Sequence, residues 1–148
     1  MNRRNFIETS SSLALLGGLA GCLANDAVVQ SYREGRTFYD EAGSTASKAA
    51  DLRDGGNTEA ARDKYGAASS LYDSAADRFE KARDAANTED ARFYSEQAMK
   101  RARAKAREMA DHSNGKKREA LQHARNSYEY YYAEVEEVEA ASSRSFTF

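Results

Sequence analysis

"ARDKYGAASSLYDSAADRFEKARDAA", residues 61–86, is the stretch on which the fold turns. Ala61, Tyr65, Ala68, Tyr72, Ala75, Phe79, Ala82 and Ala86 recur in alternating steps of four and three without a break. Such steps place every member on one face of an α-helix, the apolar stripe that a helical bundle buries along its seam. A strand would need alternation with period two and residues such as Val, Ile and Thr, and these are scarce throughout. The stripe is made of small residues and rings. Ala lets neighbouring helices approach closely, and Tyr and Phe fill the space between them.

The same rhythm extends outward in both directions. Val28, Tyr32, Gly35, Tyr39, Ala42, Ala46 and Ala49 form a stripe before it; Ala91, Tyr94, Ala98, Ala102, Ala106 and Met109 form a less regular one after it. Leu121, Ala124, Tyr128, Tyr131, Val135 and Val138 form the last. The breaks between stripes carry turn and cap residues. Gly55-Gly56-Asn57-Thr58 stops one helix and caps the next, Asn87-Thr88-Glu89-Asp90 supplies caps with acids in a first turn, and Asn114-Gly115 ends the third helix. There is no proline anywhere. The hexapeptides "NTEAAR" at 57–62 and "NTEDAR" at 87–92 point to duplication of one helical unit.

The sequence therefore predicts an all-α protein of four long antiparallel helices, an up-down-up-down bundle over residues 27–141 with a flexible tail at 142–148. Each helix spans about 40 Å at 1.5 Å per residue. The second architecture compatible with the pattern is a tetratricopeptide-like array of shorter helix pairs. Ala75, Phe79 and Ala82 resemble the second-helix pattern of that repeat, whereas its first-helix pattern is missing and no Gly or Pro interrupts the chain near Ser69-Ser70.

Ahead of the helices stands "NRRNFIETSSSLALLGGLAGCLAND", residues 2–26, with the single cysteine of the chain, Cys22. The apolar run from Leu13 to Leu23 is shorter than the roughly 20 residues a bilayer-spanning helix needs. A short apolar run behind a basic start is the pattern of an export signal. Arg3 and Arg4 followed by Phe6 and Ile7 resemble the twin-arginine export signal, with Asn2 and Glu8 standing where that family usually has Ser or Thr and Lys. Leu19-Ala20-Gly21-Cys22 resembles a lipobox, in which the small residues fit the signal peptidase and the cysteine thiol takes the lipid. Twin-arginine lipoproteins of this kind are common in halophilic archaea, and the excess of Arg over Lys, 15 to 7, is in keeping with that source. The resemblance implies that residues 1–21 are removed, that Cys22 becomes a lipidated N-terminus and that 22–26 link it to the helical domain. It implies an extracytoplasmic protein held to the cell membrane by its lipid. With Cys22 acylated, no thiol remains for a disulfide or a metal.

Groups able to do chemistry are few. His112 and His123 each follow a glutamate by four residues, Glu108 and Glu119, which puts each pair on one helix face. Di-iron bundles use Glu-x-x-His instead, with further inward glutamates. No glycine-rich phosphate loop or nucleophile elbow occurs. The sequence predicts a protein that is not an enzyme and needs no cofactor or metal.

Charge carries the remaining information. The net charge is −2, with 22 basic and 24 acidic residues, which together with export argues against nucleic acid as a partner. Locally the balance breaks. Lys100, Arg101, Arg103, Lys105 and Arg107 close the third helix and Lys116, Lys117 and Arg118 open the fourth, so an antiparallel hairpin gathers them at one end. Glu129, Glu134, Glu136, Glu137 and Glu139 collect toward the other. Cations at the start of a helix oppose its dipole, which marks this end for contact with something acidic. In the aromatic stretch at 127–141, Tyr128 and Tyr131 fall on the seam and Tyr130 is the ring expected to be exposed, as tyrosines of contact surfaces are. The expected binding residues are Arg103, Lys105, Arg107, Lys116, Lys117, Arg118 and Tyr130. The expected function is a helical protein-interaction or structural module that meets a protein or an acidic cell-surface polymer, with a small-ligand or metal-binding bundle as the alternative. The sequence does not indicate its oligomeric state.

Overall fold

A computed structural model describes residues 26–144, with side chains as far as Tyr131. All seven residues of the expected export signal and lipobox, Arg3, Arg4, Phe6, Leu19, Ala20, Gly21 and Cys22, lie outside this range. The described chain is four helices: α1 Asp26–Asp54, α2 Thr58–Ala85, α3 Glu89–Ser113 and α4 Lys117–Arg144. They run up, down, up and down as a four-helix bundle. No shorter helix pairs occur, because the apolar rhythm continues through Ser69 and Ser70, whose polar side chains are accommodated within α2. The Ser69 hydroxyl donates to the Ala106 carbonyl of α3 at 2.8 Å. α4 continues to Arg144, past the expected boundary at 141, since Ala140-Ala141-Ser142-Ser143 contains no breaker. No helix among the described residues is long and apolar enough to cross a membrane.

The turns form where the cap residues stand. Gly56 and Gly115 have φ of +83° and +76°, the left-handed conformation that glycine adopts without a Cβ penalty. Each closes the preceding helix with paired bonds: Asn57 N–H to the Leu52 carbonyl and Gly56 N–H to Arg53, then Lys116 N–H to Asp111 and Gly115 N–H to His112. Asn57 and Thr88 then cap α2 and α3, accepting from the N–H groups of Ala60 and Ala91 at 3.3 and 3.2 Å.

Packing follows the stripes for three helices. Every member of the α2 and α3 stripes is buried, and those of α1 are buried or half-buried. One cluster joins Val28, Tyr32, Phe79, Ala82, Tyr94 and Ala98, and a second joins Ala42, Ala49, Tyr65, Tyr72, Ala106 and Met109. Rings meet edge to face or tilted: Tyr32 on Phe79 at 5.1 Å, and Tyr39 on Tyr72 at 4.9 Å. Ion pairs stitch the outside. Arg78 of α2 reaches Glu34 of α1 at 2.9 Å, and Arg103 of α3 reaches Glu80 of α2 at 3.1 Å.

Each helix packs chiefly on the next, α1 on α2, α2 on α3 and α3 on α4. α4 leans on α3 and barely approaches α1 or α2. α3 is thus surrounded, and it buries Ser95, Gln97, Arg101, Ala104 and Glu108 in addition to its apolar stripe. That second buried face explains why its apolar rhythm is the least regular of the four.

Candidate functional site

α4 departs from the expectation that its apolar stripe is buried. Among its described side chains it buries Ala120 and Ser127, which are small enough to let it lie close on α3. The apolar stripe one position round the helix is turned outward: Leu121 is 69% exposed, Tyr128 62% and Tyr131 46%. Among the described residues these are the only large hydrophobics left exposed. Tyr128 and Tyr131 therefore belong to the surface, and Tyr130, expected to be the exposed ring, is half-buried. The physical reason is the number of neighbours. A helix held by one partner buries one narrow line, and that line goes to the residues that permit the closest approach.

The exposed stripe overlooks two open clefts. The first, about 190 Å³, is lined by Tyr39 of α1, Arg101 and Lys105 of α3, and Ser127, Tyr128 and Tyr131 of α4. Its floor is Arg101, only 4% exposed, whose guanidinium lies 4.9 Å from the centre of the Tyr39 ring and 5.5 Å from that of Tyr131. Ring faces on both sides attract the cation electrostatically and cover it. Lys105 donates to Glu108 at 2.7 Å, and its ammonium stands 6.0 Å from the centre of the Tyr128 ring.

The second cleft, about 340 Å³, lies at the tip where the α1–α2 and α3–α4 turns meet. Leu121 and Lys117 of α4, Arg53 of α1, Arg62 and Tyr65 of α2, and His112 of α3 line it. Arg62 packs against Gly115, where a Cβ would come within 3.1 Å of its guanidinium. His112 stacks on Tyr65 at 4.9 Å with 25° between the planes. Burial holds the His112 imidazole below its usual pKa of 6.5, so the folded protein keeps it neutral. The unfolded chain therefore takes up this proton first, and the associated stability is present above pH 6.5 and is lost as pH falls through the folded value. His112→Gln should flatten the part of the melting-temperature decline that sets in as pH falls below 6.5; an unchanged decline would assign it to other groups.

The two histidines do not pair with the glutamates four residues before them. His123 Nε2 faces Asp111 at 3.5 Å, and Glu108 is held by Lys105. Among the described residues no three His, Cys, Asp or Glu side chains converge on one point.

The expected basic group of six is divided by helix faces. Arg103 turns to Glu80 of α2, Lys105 turns to the first cleft, and Arg107 is exposed on α3. Lys116, Lys117 and Arg118 are exposed together at the tip. Arg53 and Arg62, absent from the expected set, join Lys117 there. The signal for them was present in the sequence: both flank the Gly55-Gly56 turn, and short connections between antiparallel helices bring that turn to the same end as Gly115. Arg101 and Tyr39 carried no such signal, because their contact depends on how α3 sits beside α1. The chain matches no family model, and no curated protein or solved structure shows significant similarity to it.

Proposed function

We propose that this protein is a lipid-anchored, extracytoplasmic helical module that binds an acidic macromolecular partner through the outer face of α4 and the basic tip beside it. The observation that carries the reading is the concentration of every exposed large hydrophobic of the described residues on one face of one helix, Leu121, Tyr128 and Tyr131, next to Arg53, Arg62 and Lys117. Aromatic and cationic groups together are the composition of contact surfaces, where they supply area and orientation.

The anchor gives the tip its direction. Three residues separate Cys22 from the start of α1 at Asp26, so a lipid on Cys22 holds that end at the membrane. The Gly56 and Gly115 turns then stand roughly 40 Å away, well beyond the Debye length of about 8 Å over which headgroup charge acts. The tip cations are thereby directed at something other than the supporting bilayer.

The full chain carrying Lys116→Glu, Lys117→Glu and Arg118→Glu should bind poly-L-glutamate at least about tenfold more weakly at low salt, as expected for loss of a charge-steered contact, while its attachment to membranes is unchanged. Capture that survives the reversal would refute the basic-tip reading. For the anchor, Cys22→Ser should move the protein from the membrane fraction to the soluble one, and an intact Met1 on membrane-bound wild type would sink the lipidation proposal.

A further inference from the structure

The tip cleft is distinguished by uncompensated charge. Arg53 of α1, Arg62 of α2 and Lys117 of α4 line it, and among the described residues no Asp or Glu does. Three helices thus each bring a cation to one space of about 340 Å³. Arg53 shares its charge with Asp54 at 3.1 Å, an exposed pair between chain neighbours. None of the ion pairs among the described residues takes Arg62 or Lys117. The other clefts are balanced: Lys105 in the first is held by Glu108, and the one beside the start of α1 sets Arg33 with Asp26 and Glu34.

Arg62 is also positioned. Its guanidinium lies against Gly115, whose φ of +76° and missing Cβ leave the room it occupies. A guanidinium set in place can take a carboxylate with two parallel hydrogen bonds and loses little further freedom in doing so. Beside these cations the lining is apolar. Leu121, 69% exposed, shares the cleft with Ala61 and with the Tyr65 ring that stacks on His112.

An occupant that is only acidic would leave Leu121 in water, and one that is only apolar would desolvate cations without pairing them. A polymer of acidic sugars supplies carboxylates but sets hydroxyls against an aliphatic side chain. We propose that the tip cleft is the recognition site for a peptide segment of the partner that carries one bulky apolar side chain flanked by carboxylates. The apolar side chain covers Leu121, and the carboxylates pair with Arg62 and Lys117. The inference rests on the reading of the tip as a binding surface, and it names what the partner must present there.

The test uses the full chain with Cys22→Ser, so that no native thiol remains, and calorimetric titration at low salt with the blocked peptides EEFEE, EEAEE and QQFQQ. EEFEE should bind at least about tenfold more tightly than either of the others, the first comparison reading the apolar contact and the second the charge. Arg62→Gln and Lys117→Gln should each weaken EEFEE binding by about threefold to tenfold, with helical circular dichroism unchanged because both side chains are exposed. Lys81→Gln, which removes an exposed cation of α2 outside the cleft, should leave that binding unchanged. Leu121→Ser should bring EEFEE down to the affinity of EEAEE and leave EEAEE where it was. Four results would each overturn the proposal: equal binding of EEFEE and EEAEE, an equal effect of Leu121→Ser on both, a Lys81→Gln effect as large as that of Arg62→Gln, or an oligogalacturonate of matched charge binding as tightly as EEFEE. Poly-L-glutamate binding that depends on Lys116, Lys117 and Arg118, with EEFEE and EEAEE bound alike, would remove the cleft proposal and leave the proposed function standing. Failure to bind poly-L-glutamate and every peptide would remove both readings together.

Discussion

Phe79→Ala is expected to lower the unfolding free energy by about 3–5 kcal/mol, the range for truncating a fully buried ring. Phe79 is 0% exposed and joins the core residues of three helices, with Tyr32 tilted against it at 5.1 Å. Its neighbours explain why the cost falls at the upper part of what a core substitution can do. Most residues of its core cluster are alanines, among them Ala75, Ala76, Ala82 and Ala98, which have no side-chain freedom with which to close a cavity. A domain of this size has a total stability on the order of 5–15 kcal/mol, so the loss is a large share of it. Urea unfolding followed by helical circular dichroism should show a lower midpoint at unchanged slope. A shift corresponding to less than about 1 kcal/mol would mean that the α2 stripe is not the centre of the core.

The second large effect concerns the helix that faces this ring. Gly35 lies in the interior of α1, where a helix ordinarily prefers Ala by about 1 kcal/mol. Here a Cβ would stand 2.7 Å from Cε1 and 2.8 Å from Cδ1 of Phe79, closer than two carbons can approach. The ring is held by Tyr32 and cannot simply swing aside. Overpacking of this kind costs about 1–3 kcal/mol and outweighs the propensity gain, so Gly35→Ala should destabilise by roughly 1–2 kcal/mol and Gly35→Leu by more. The sign should reverse once the ring is gone. In the Phe79→Ala background Gly35→Ala fills empty space and adds helix propensity, and it should stabilise. A double-mutant cycle measures that coupling directly, and additive effects would show that Gly35 and Phe79 do not touch.

The contrast between Phe79 and Tyr128 separates what could be read in the chain from what could not. Residues 61–86 decide a helix, its buried face and its ring-and-alanine packing without reference to anything else, because the step of three and four is a property of α-helical geometry. The helix ends are equally local, since Asn57, Thr88, Gly56 and Gly115 act through hydrogen bonds and φ angles within a turn of themselves. Fold class, helix number and chain direction are all consequences of these local choices and short connections.

The candidate surface belongs to another level. The stripe from Leu121 to Val138 obeys the same rule as the one from Ala61 to Ala86, yet Leu121, Tyr128 and Tyr131 of the one face solvent and the other faces the core. Periodicity states that a helix has an apolar face; it does not state how many neighbours are present to cover it. Only the tertiary arrangement decides that α4 rests chiefly on α3, that Ala120 and Ser127 take the contact line, and that Arg101 lies between Tyr39 and Tyr131. It also divides a run of cations that looked continuous, because neighbouring residues on a helix point in different directions: Arg103 meets Glu80 and Lys105 meets Glu108. Local geometry and hydrogen bonding determine the helices from the sequence alone, whereas burial depends on which faces meet across the bundle.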